Sequence, residues 1–163
     1  MERVKLFREA EVTHGRVAML ATVGMLVSES PFHPLFKFMA KVYHSNRQLT
    51  GPSIRHLDEV REVAPFGFEF LVGIIAVSEL HRCVVGWGRP VEGGSPNFWM
   101  LKADYYPGDI GFDPLGFKPC KAPNFVGAQA RELQNGRLAM IAVAGFVAQE
   151  LVNEKAIFEN LFG

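Results

Sequence analysis

The sequence predicts an all-α membrane protein with three transmembrane helices and a short amphipathic C-terminal helix. The first and third helices are expected to cross and to be related by a pseudo-two-fold axis. Three observations predict this fold: a segment near the N-terminus recurs near the C-terminus, an apolar stretch lies between the copies, and loops rich in proline and glycine separate them. The chain has 163 residues, which fits a single domain over residues 1–163.

The repeat aligns residues 11–21 with residues 132–142 at a constant offset of 121. Between Glu11 and Glu29, eight of nineteen positions are identical, and most of the others exchange one apolar residue for another. This offset is too long for a solenoid, so the repeat predicts a two-fold-related pair of helices around a third element.

Each copy of the repeat is rich in the helix formers Ala, Met and Leu and contains no proline. Prolines flank the predicted helices and set their approximate limits. We expect the long helices at about residues 4–30, 66–86 and 126–153, and a short amphipathic helix at residues 156–162.

The charged residues decide whether these helices can cross a membrane. The uncharged cores, 17–28 and 138–149, are twelve residues each, or roughly 18 Å, against a hydrocarbon layer of about 30 Å. The helices therefore span only if the neighbouring polar residues lie in or near the apolar layer, where paired or functional groups are tolerated. A soluble three-helix protein is the alternative. Residues 17–27 are apolar all round apart from Thr22, which favours lipid.

Composition excludes several classes of protein. Lys+Arg and Asp+Glu both number 17, so no net charge favours a nucleic-acid partner. Cys83 and Cys120 have no second Cys or His at ligand spacing, so we interpret them as free thiols. No nucleophile–base pair or phosphate-binding loop is recognisable, and we expect no enzymatic activity.

The repeated motif is Glu-x-x-His/Asn-Gly-Arg. Glu11 and Arg16 lie five residues apart, about 140° round a helix, so they cannot pair with each other. An unpaired carboxylate or guanidinium in lipid would be costly. The repeat therefore predicts two buried crossed pairs, Glu11 with Arg137 and Glu132 with Arg16. Small residues within the motif would let the two backbones approach closely.

His14 and Asn135 each offer a single neutral donor beside these pairs. Structural and catalytic metals need three or four convergent ligands, whereas a metal held in a macrocycle needs one axial donor. Magnesium accepts oxygen or imidazole nitrogen ligands. The set of spaced donors therefore indicates several chlorophylls, although a polar packing contact is the alternative for any one of them.

The two segments Glu-Val-Thr-His-Gly-Arg-Val-Ala-Met (11–19) and Glu-Leu-Gln-Asn-Gly-Arg-Leu-Ala-Met (132–140) resemble the first and third helices of the light-harvesting complex superfamily, the chlorophyll a/b and a/c antenna proteins of thylakoids. The resemblance covers nearly the whole chain. It implies that Glu11, His14, Glu132 and Asn135 are chlorophyll ligands, and that Arg16 and Arg137 are the charge partners of the two glutamates. It also implies that a ligand glutamine of the family corresponds to Gln149.

The middle helix is less similar to the family. Glu79-Leu-His81-Arg82 resembles its Glu-x-x-Arg ligand pattern, in which Arg82 neutralises Glu79 and leaves one oxygen for magnesium. Leu71 stands where green-plant members carry a ligand glutamine. Glu69 could replace that ligand or could be a carboxylate favoured by the helix N-terminus. His81 is either a ligand or an interfacial polar residue.

The loops carry weaker signals. His33, His44 and His56 are expected at the surface, where each could hold a peripheral pigment. Residues 105–117 contain consecutive turn signals and resemble the family loop that seats a carotenoid end group. A simple cap at the start of the third helix is the alternative. No histidine like that of the family follows Gln149, so a terminal chlorophyll is not expected there.

The resemblance implies a light-harvesting antenna that passes excitation energy to a photosystem I or II core, with neighbouring antenna subunits and thylakoid lipids as partners. The form of the motifs is similar to the chlorophyll a/c branch of red-lineage algae. Chlorophyll a, chlorophyll c and fucoxanthin- or peridinin-type carotenoids are therefore expected, the carotenoids in grooves beside Met19 and Met140. The implied location is the plastid thylakoid membrane, with the N-terminus in the stroma. Lys and Arg are distributed evenly between the two sides, so their positions do not decide the orientation. A photoprotective member of the superfamily and a small helical transporter are the alternatives.

Overall fold

The computed structural model describes residues 2–29, 52–53, 61, 65–88, 100–114, 116, 118–119 and 122–162. Across these ranges the chain forms three long helices and one short one. They are α1 (Glu2–Glu29), α2 (Pro65–Gly86), α3 (Ala122–Asn153) and α4 (Ile157–Phe162). The four predicted helices are confirmed.

Their limits differ little from the prediction. Helix α3 begins four residues earlier than expected because Pro123 lies in its first turn, where a missing backbone N–H leaves no hydrogen bond unmade. The predicted end of α1 at Ser30 lies outside the described residues, as do His33, His44, His56 and Cys120.

The contacts within the chain define two units. The first unit comprises Met1–Val17 and Ile75–Leu138, and the second comprises Ala18–Ile74 and Ala139–Gly163. Each long helix contributes residues to both units. Both charged motifs belong to the first unit.

In the first unit, α1 and α3 come close at two glycines. A Cβ atom built on Gly15 would lie 3.0 Å from the Cα atom of Gly136, so neither position has room for a side chain. The C-terminus of α2 is closed by Lys102, whose Nζ donates to the carbonyl oxygens of Val84 at 2.7 Å and Val85 at 3.0 Å. A lysine in this position satisfies carbonyls that the helix leaves without partners.

In the second unit, small side chains line the buried face of the helices. Ala18 and Ala139 are both buried. Thr22 Oγ1 donates to the carbonyl oxygen of Ala18 at 2.8 Å and lies 3.5 Å from that of Ala139. Ile157 of α4 is almost fully buried. This unit therefore packs through small residues and one anchoring side chain of α4.

Most of the large apolar side chains face outwards. They far outnumber the buried apolar residues, and in α2 every residue from 69 to 81 is exposed. Among the described helices, none is both long enough and apolar enough to qualify as a membrane-crossing segment. The charged motifs explain this result for α1 and α3, because they interrupt the apolar runs. The helical part of the predicted fold is confirmed, whereas the membrane crossing stays a prediction.

Candidate functional site

The crossed ion pairs predicted from the repeat are present in the first unit. Arg16 Nε donates to Glu132 Oε1 at 2.7 Å, and Arg137 Nε donates to Glu11 Oε1 at 2.6 Å. The close approach of Gly15 and Gly136 brings these side chains within reach. Each arginine thus pairs with the glutamate of the other repeat copy, and the predicted pairing is confirmed.

The expected burial of these pairs is wrong for the polypeptide alone. The side chain of Arg16 is 38% exposed and that of Arg137 is 57% exposed. The protein therefore leaves a large part of both arginine side chains uncovered. The burial was expected because the motif was placed in the apolar layer of a membrane, where an unpaired charge is costly.

The two motif carboxylates differ in how their second oxygen is placed. Glu11 Oε2 lies 3.8 Å from a guanidinium nitrogen of Arg8, one turn earlier in α1. For Glu132, the described part of the chain supplies no hydrogen bond or ion pair to Oε2, and its carboxylate borders an open cavity. A carboxylate held by one oxygen can offer the other to a metal.

The neutral donors of the motifs face outwards. His14 of α1 and Asn135 of α3 are both exposed. No group of three or more His, Cys, Asp or Glu residues that could hold a metal ion occurs in the described ranges. These side chains can therefore serve as single axial ligands, but they do not form a protein metal cage.

The predicted pair in α2 is also present. Arg82 donates to Glu79 Oε2 from Nε at 3.0 Å and from a terminal nitrogen at 2.5 Å. The Glu79 side chain is 53% exposed, so its other oxygen is accessible. His81 Nε2 lies 3.3 Å from the carbonyl oxygen of Ile110, which assigns it a loop contact that the sequence did not indicate.

Two candidates lie in the second unit. Glu69 in α2 is exposed, as is Leu71 at the position of the missing glutamine. Gln149 in α3 is partly buried. The neighbouring Glu150 is only 1% exposed, and its Oε1 accepts a hydrogen bond of 2.5 Å from Ser53 Oγ. Sequence reasoning gave no role to this buried carboxylate.

Sequence reasoning also missed Glu9, whose carboxylate is buried in the first unit. It accepts hydrogen bonds from the Tyr105 hydroxyl at 3.2 and 3.1 Å, from the Gly108 backbone N–H at 2.6 Å, and from Arg82 at 3.3 Å. Glu9 and Glu11 are two residues apart, about 200° round the helix, so they point to opposite sides. No pattern along α1 indicates this burial, because the partners of Glu9 are distant in the sequence.

The described residues between 105 and 119 are held by the Glu9 carboxylate near Tyr105 and by the ion pair of Lys118 with Asp109. Burial and the charge of Glu9 raise the pKa of Tyr105 to about 12. Lys118 Nζ donates to Asp109 Oδ2 at 2.5 Å and lowers the pKa of that carboxyl group. Gly108 has a φ angle of 84°, and a Cβ atom there would lie 2.8 Å from a methyl group of Val12, so both its conformation and its packing require glycine.

A cavity of about 540 Å³ lies between this loop and the start of α3. Apolar side chains such as Phe112 and Phe125 line it together with Arg16, Glu132 and Asp109. Residues 107–113 of the predicted turn segment therefore form one wall of a partly apolar pocket beside a crossed ion pair.

The fold and the site define a helical protein with outward-facing apolar side chains and ion-paired motif charges. Residues 1–151 match the family described as "Chlorophyll A-B binding protein". The chain belongs to this light-harvesting family, whose members bind pigments and are not enzymes.

Named relatives include a light-harvesting complex stress-related protein and chlorophyll-binding proteins. "Light-harvesting complex stress-related protein 1, chloroplastic" of Chlamydomonas reinhardtii is 47% identical over 160 residues, which is 97% of this chain and 58% of the relative. "Fucoxanthin-chlorophyll a-c binding protein, chloroplastic" of Isochrysis galbana is 43% identical over 149 residues, 90% of this chain and 64% of the relative. "Chlorophyll a-b binding protein 4, chloroplastic" of Arabidopsis thaliana is 33% identical over 168 residues, 98% of this chain and 59% of the relative. The chain spans about three fifths of the length of these curated relatives.

Proposed function

We propose that the protein binds chlorophylls and carotenoids in the thylakoid membrane of a plastid and passes excitation energy towards a photosystem. The observation that carries this proposal is the outward-facing surface of the helices. It carries many exposed large apolar side chains, as along residues 69–81, and also exposed single donors such as His14, Glu79 and Asn135. Apolar macrocycles with one axial position each would cover such a surface, since large exposed apolar patches mark binding sites.

The proposed chlorophyll ligands share one property, an oxygen or nitrogen atom that can point away from the helix bundle. They are Glu11, His14, Glu79, Glu132, Asn135 and Gln149. Arg16, Arg82 and Arg137 pair with the carboxylates, which lowers the negative charge that a bound magnesium meets. The bound pigments would supply light absorption and energy transfer, and the chain would set their spacing, orientation and electrostatic surroundings.

The cavity beside Phe112 and Phe125 fits the end group of a carotenoid. Its apolar walls would hold the ring, and Asp109, Gln129 and Lys118 could hydrogen-bond an oxygen on it. The fucoxanthin-chlorophyll a-c protein of Isochrysis galbana supports chlorophyll a, chlorophyll c and an oxygenated carotenoid as the pigment set. Pigment analysis decides the set directly.

The repeat supports a topology in which α1 and α3 cross the membrane in the same direction and α2 crosses back. The N-terminus and the loop over 87–125 would then face the stroma, and the loop over 31–64 would face the lumen. Protease added to intact, right-side-out thylakoids should cut within 87–125 and spare 31–64. The opposite pattern would reverse the orientation, and cuts in both loops would contradict three spans.

Dissipation of excitation energy is a second candidate function. It is favoured by the 47% identity to the stress-related protein of Chlamydomonas reinhardtii, against 43% to the fucoxanthin-chlorophyll protein. The fluorescence lifetime of the purified pigment–protein complex separates the two. A harvesting protein should keep a lifetime near that of free chlorophyll, whereas a dissipating protein should shorten it strongly.

Ligand variants test the proposed sites. The protein would be reconstituted with a thylakoid pigment extract, and the chlorophyll-to-protein ratio would be compared for wild type and Glu11→Arg with Arg137→Glu. The reversed pair keeps the charges but removes the carboxylate from α1, so the fold should persist with about one chlorophyll fewer. Thr13→Val is the matched control, because the Thr13 hydroxyl donates only to carbonyl oxygens of its own helix. An unchanged ratio in the swapped variant would exclude Glu11 as a ligand.

A further inference from the structure

The buried carboxylate of Glu9 joins three parts of the first unit. Its side chain is 3% exposed, and its partners come from α2 (Arg82) and from the loop after α2 (Tyr105 and Gly108). All three partners donate hydrogen bonds, and an ionised carboxylate only accepts them. The site is therefore built for the charged form of Glu9.

Arg82 is shared between two carboxylates. Its Nε and one terminal nitrogen donate to Glu79 Oε2, and its other terminal nitrogen lies 3.3 Å from Glu9 Oε1. The guanidinium is planar and rigid, so fixing one edge on Glu9 also fixes the edge that faces Glu79. Arg82 thereby engages a single oxygen of Glu79 and leaves the other accessible.

The sharing also sets the charge of this site. Two carboxylates, Glu9 and Glu79, face one guanidinium here. Arg82 therefore neutralises Glu79 less completely than it would if Glu9 carried no charge. A less neutralised carboxylate is a stronger donor to a metal.

We propose that Glu9 is a positioning residue that holds Arg82 between two carboxylates, and so sets both the orientation and the donor strength of Glu79 as the chlorophyll ligand of α2. This inference rests on the proposed function, because it assumes that Glu79 binds a chlorophyll. Glu9 itself is enclosed by protein atoms, with only 3% of its side chain exposed.

Reconstitution with pigments tests the proposal by absorption spectroscopy. The difference between wild type and Glu79→Leu first defines the band of the α2 chlorophyll. Glu9→Gln keeps the shape of the side chain but removes its charge, so Arg82 should turn fully to Glu79. We expect that band to shift or to disappear, while the other chlorophylls are retained.

Tyr105→Phe is the matched control, since it removes one hydrogen bond from Glu9 without changing any charge. A loss of packing alone would alter the band equally in Tyr105→Phe and Glu9→Gln, and that result would overturn the proposal. An unchanged band in Glu9→Gln would overturn it as well. If Glu79→Leu retains every chlorophyll, the α2 site of the proposed function fails, and this inference fails with it.

If the Glu9→Gln protein does not fold, a second pair of variants tests the proposal. Glu9→Asp keeps the charge and should preserve the band, whereas Arg82→Lys loses the planar fork and should shift it. A band at the same position in Glu9→Asp and Arg82→Lys would contradict the positioning role.

Discussion

The Arg137–Glu11 ion pair distinguishes two environments for the helices. Its nitrogen and oxygen lie 2.6 Å apart, yet the arginine side chain is 57% exposed in the polypeptide. If water covers the exposed side, the pair is a surface salt bridge. If pigment and lipid cover it, the pair is effectively buried, and removing the arginine leaves an unpaired carboxylate in an apolar layer.

The two cases differ several-fold in energy. An exposed ion pair contributes about 0.2–1 kcal/mol, whereas removing one partner of a buried pair costs about 3–5 kcal/mol. On the proposed placement of the motif in the apolar layer, Arg137→Leu should destabilise the pigment–protein complex by about 3–5 kcal/mol. Glu11→Leu with Arg137→Leu should be less destabilised than the sum of the single variants.

A double-mutant cycle measures this coupling. The reconstituted complexes would be unfolded by denaturing detergent or heat and followed by the circular dichroism of the pigments. An ion pair covered by water should couple by less than about 1 kcal/mol. A coupling that small for Glu11 and Arg137 would refute the apolar surroundings of the motif.

Three further predictions concern single positions. Gly15→Ala should destabilise the fold by about 1–3 kcal/mol in thermal unfolding, because the added methyl group would meet the backbone of Gly136 at 3.0 Å. Gly24 has open space around it, so Gly24→Ala should be neutral or stabilise the fold by about 0.5–1 kcal/mol. The pKa of Tyr105 is raised from 10.0 to about 12, so the folded chain holds the phenol proton more tightly, and stability should fall as the pH rises through that window; the loss should be absent in Tyr105→Phe. Gln149→Leu should remove about one chlorophyll per protein without unfolding it, whereas Gln134→Leu should remove none; equal pigment counts in both variants would make Gln149 a packing residue.

The crossed pairs could be predicted because the information is local and duplicated. Each motif carries a glutamate and an arginine that cannot pair within their own helix, and the second copy supplies the partner. The α2 pair of Glu79 and Arg82 could be predicted for a similar reason, since residues three apart on a helix are neighbours.

The remaining features depend on distant loop residues. Glu9 is buried where it accepts hydrogen bonds from Tyr105 and Gly108. Glu150 accepts a hydrogen bond from Ser53, which is also distant in the sequence. No spacing along a single helix indicates such partners. The exposure of Arg137 was missed for a different reason, because the sequence does not say whether protein, pigment or lipid supplies the apolar surroundings.

Pigment extraction from the protein purified out of its native membranes tests the central claim most directly. The chlorophylls and carotenoids would be separated by chromatography and counted against the polypeptide. The account predicts several chlorophylls per chain, together with carotenoids, and a red absorption band that is lost when the protein is unfolded. A purified, folded protein without chlorophyll would contradict it.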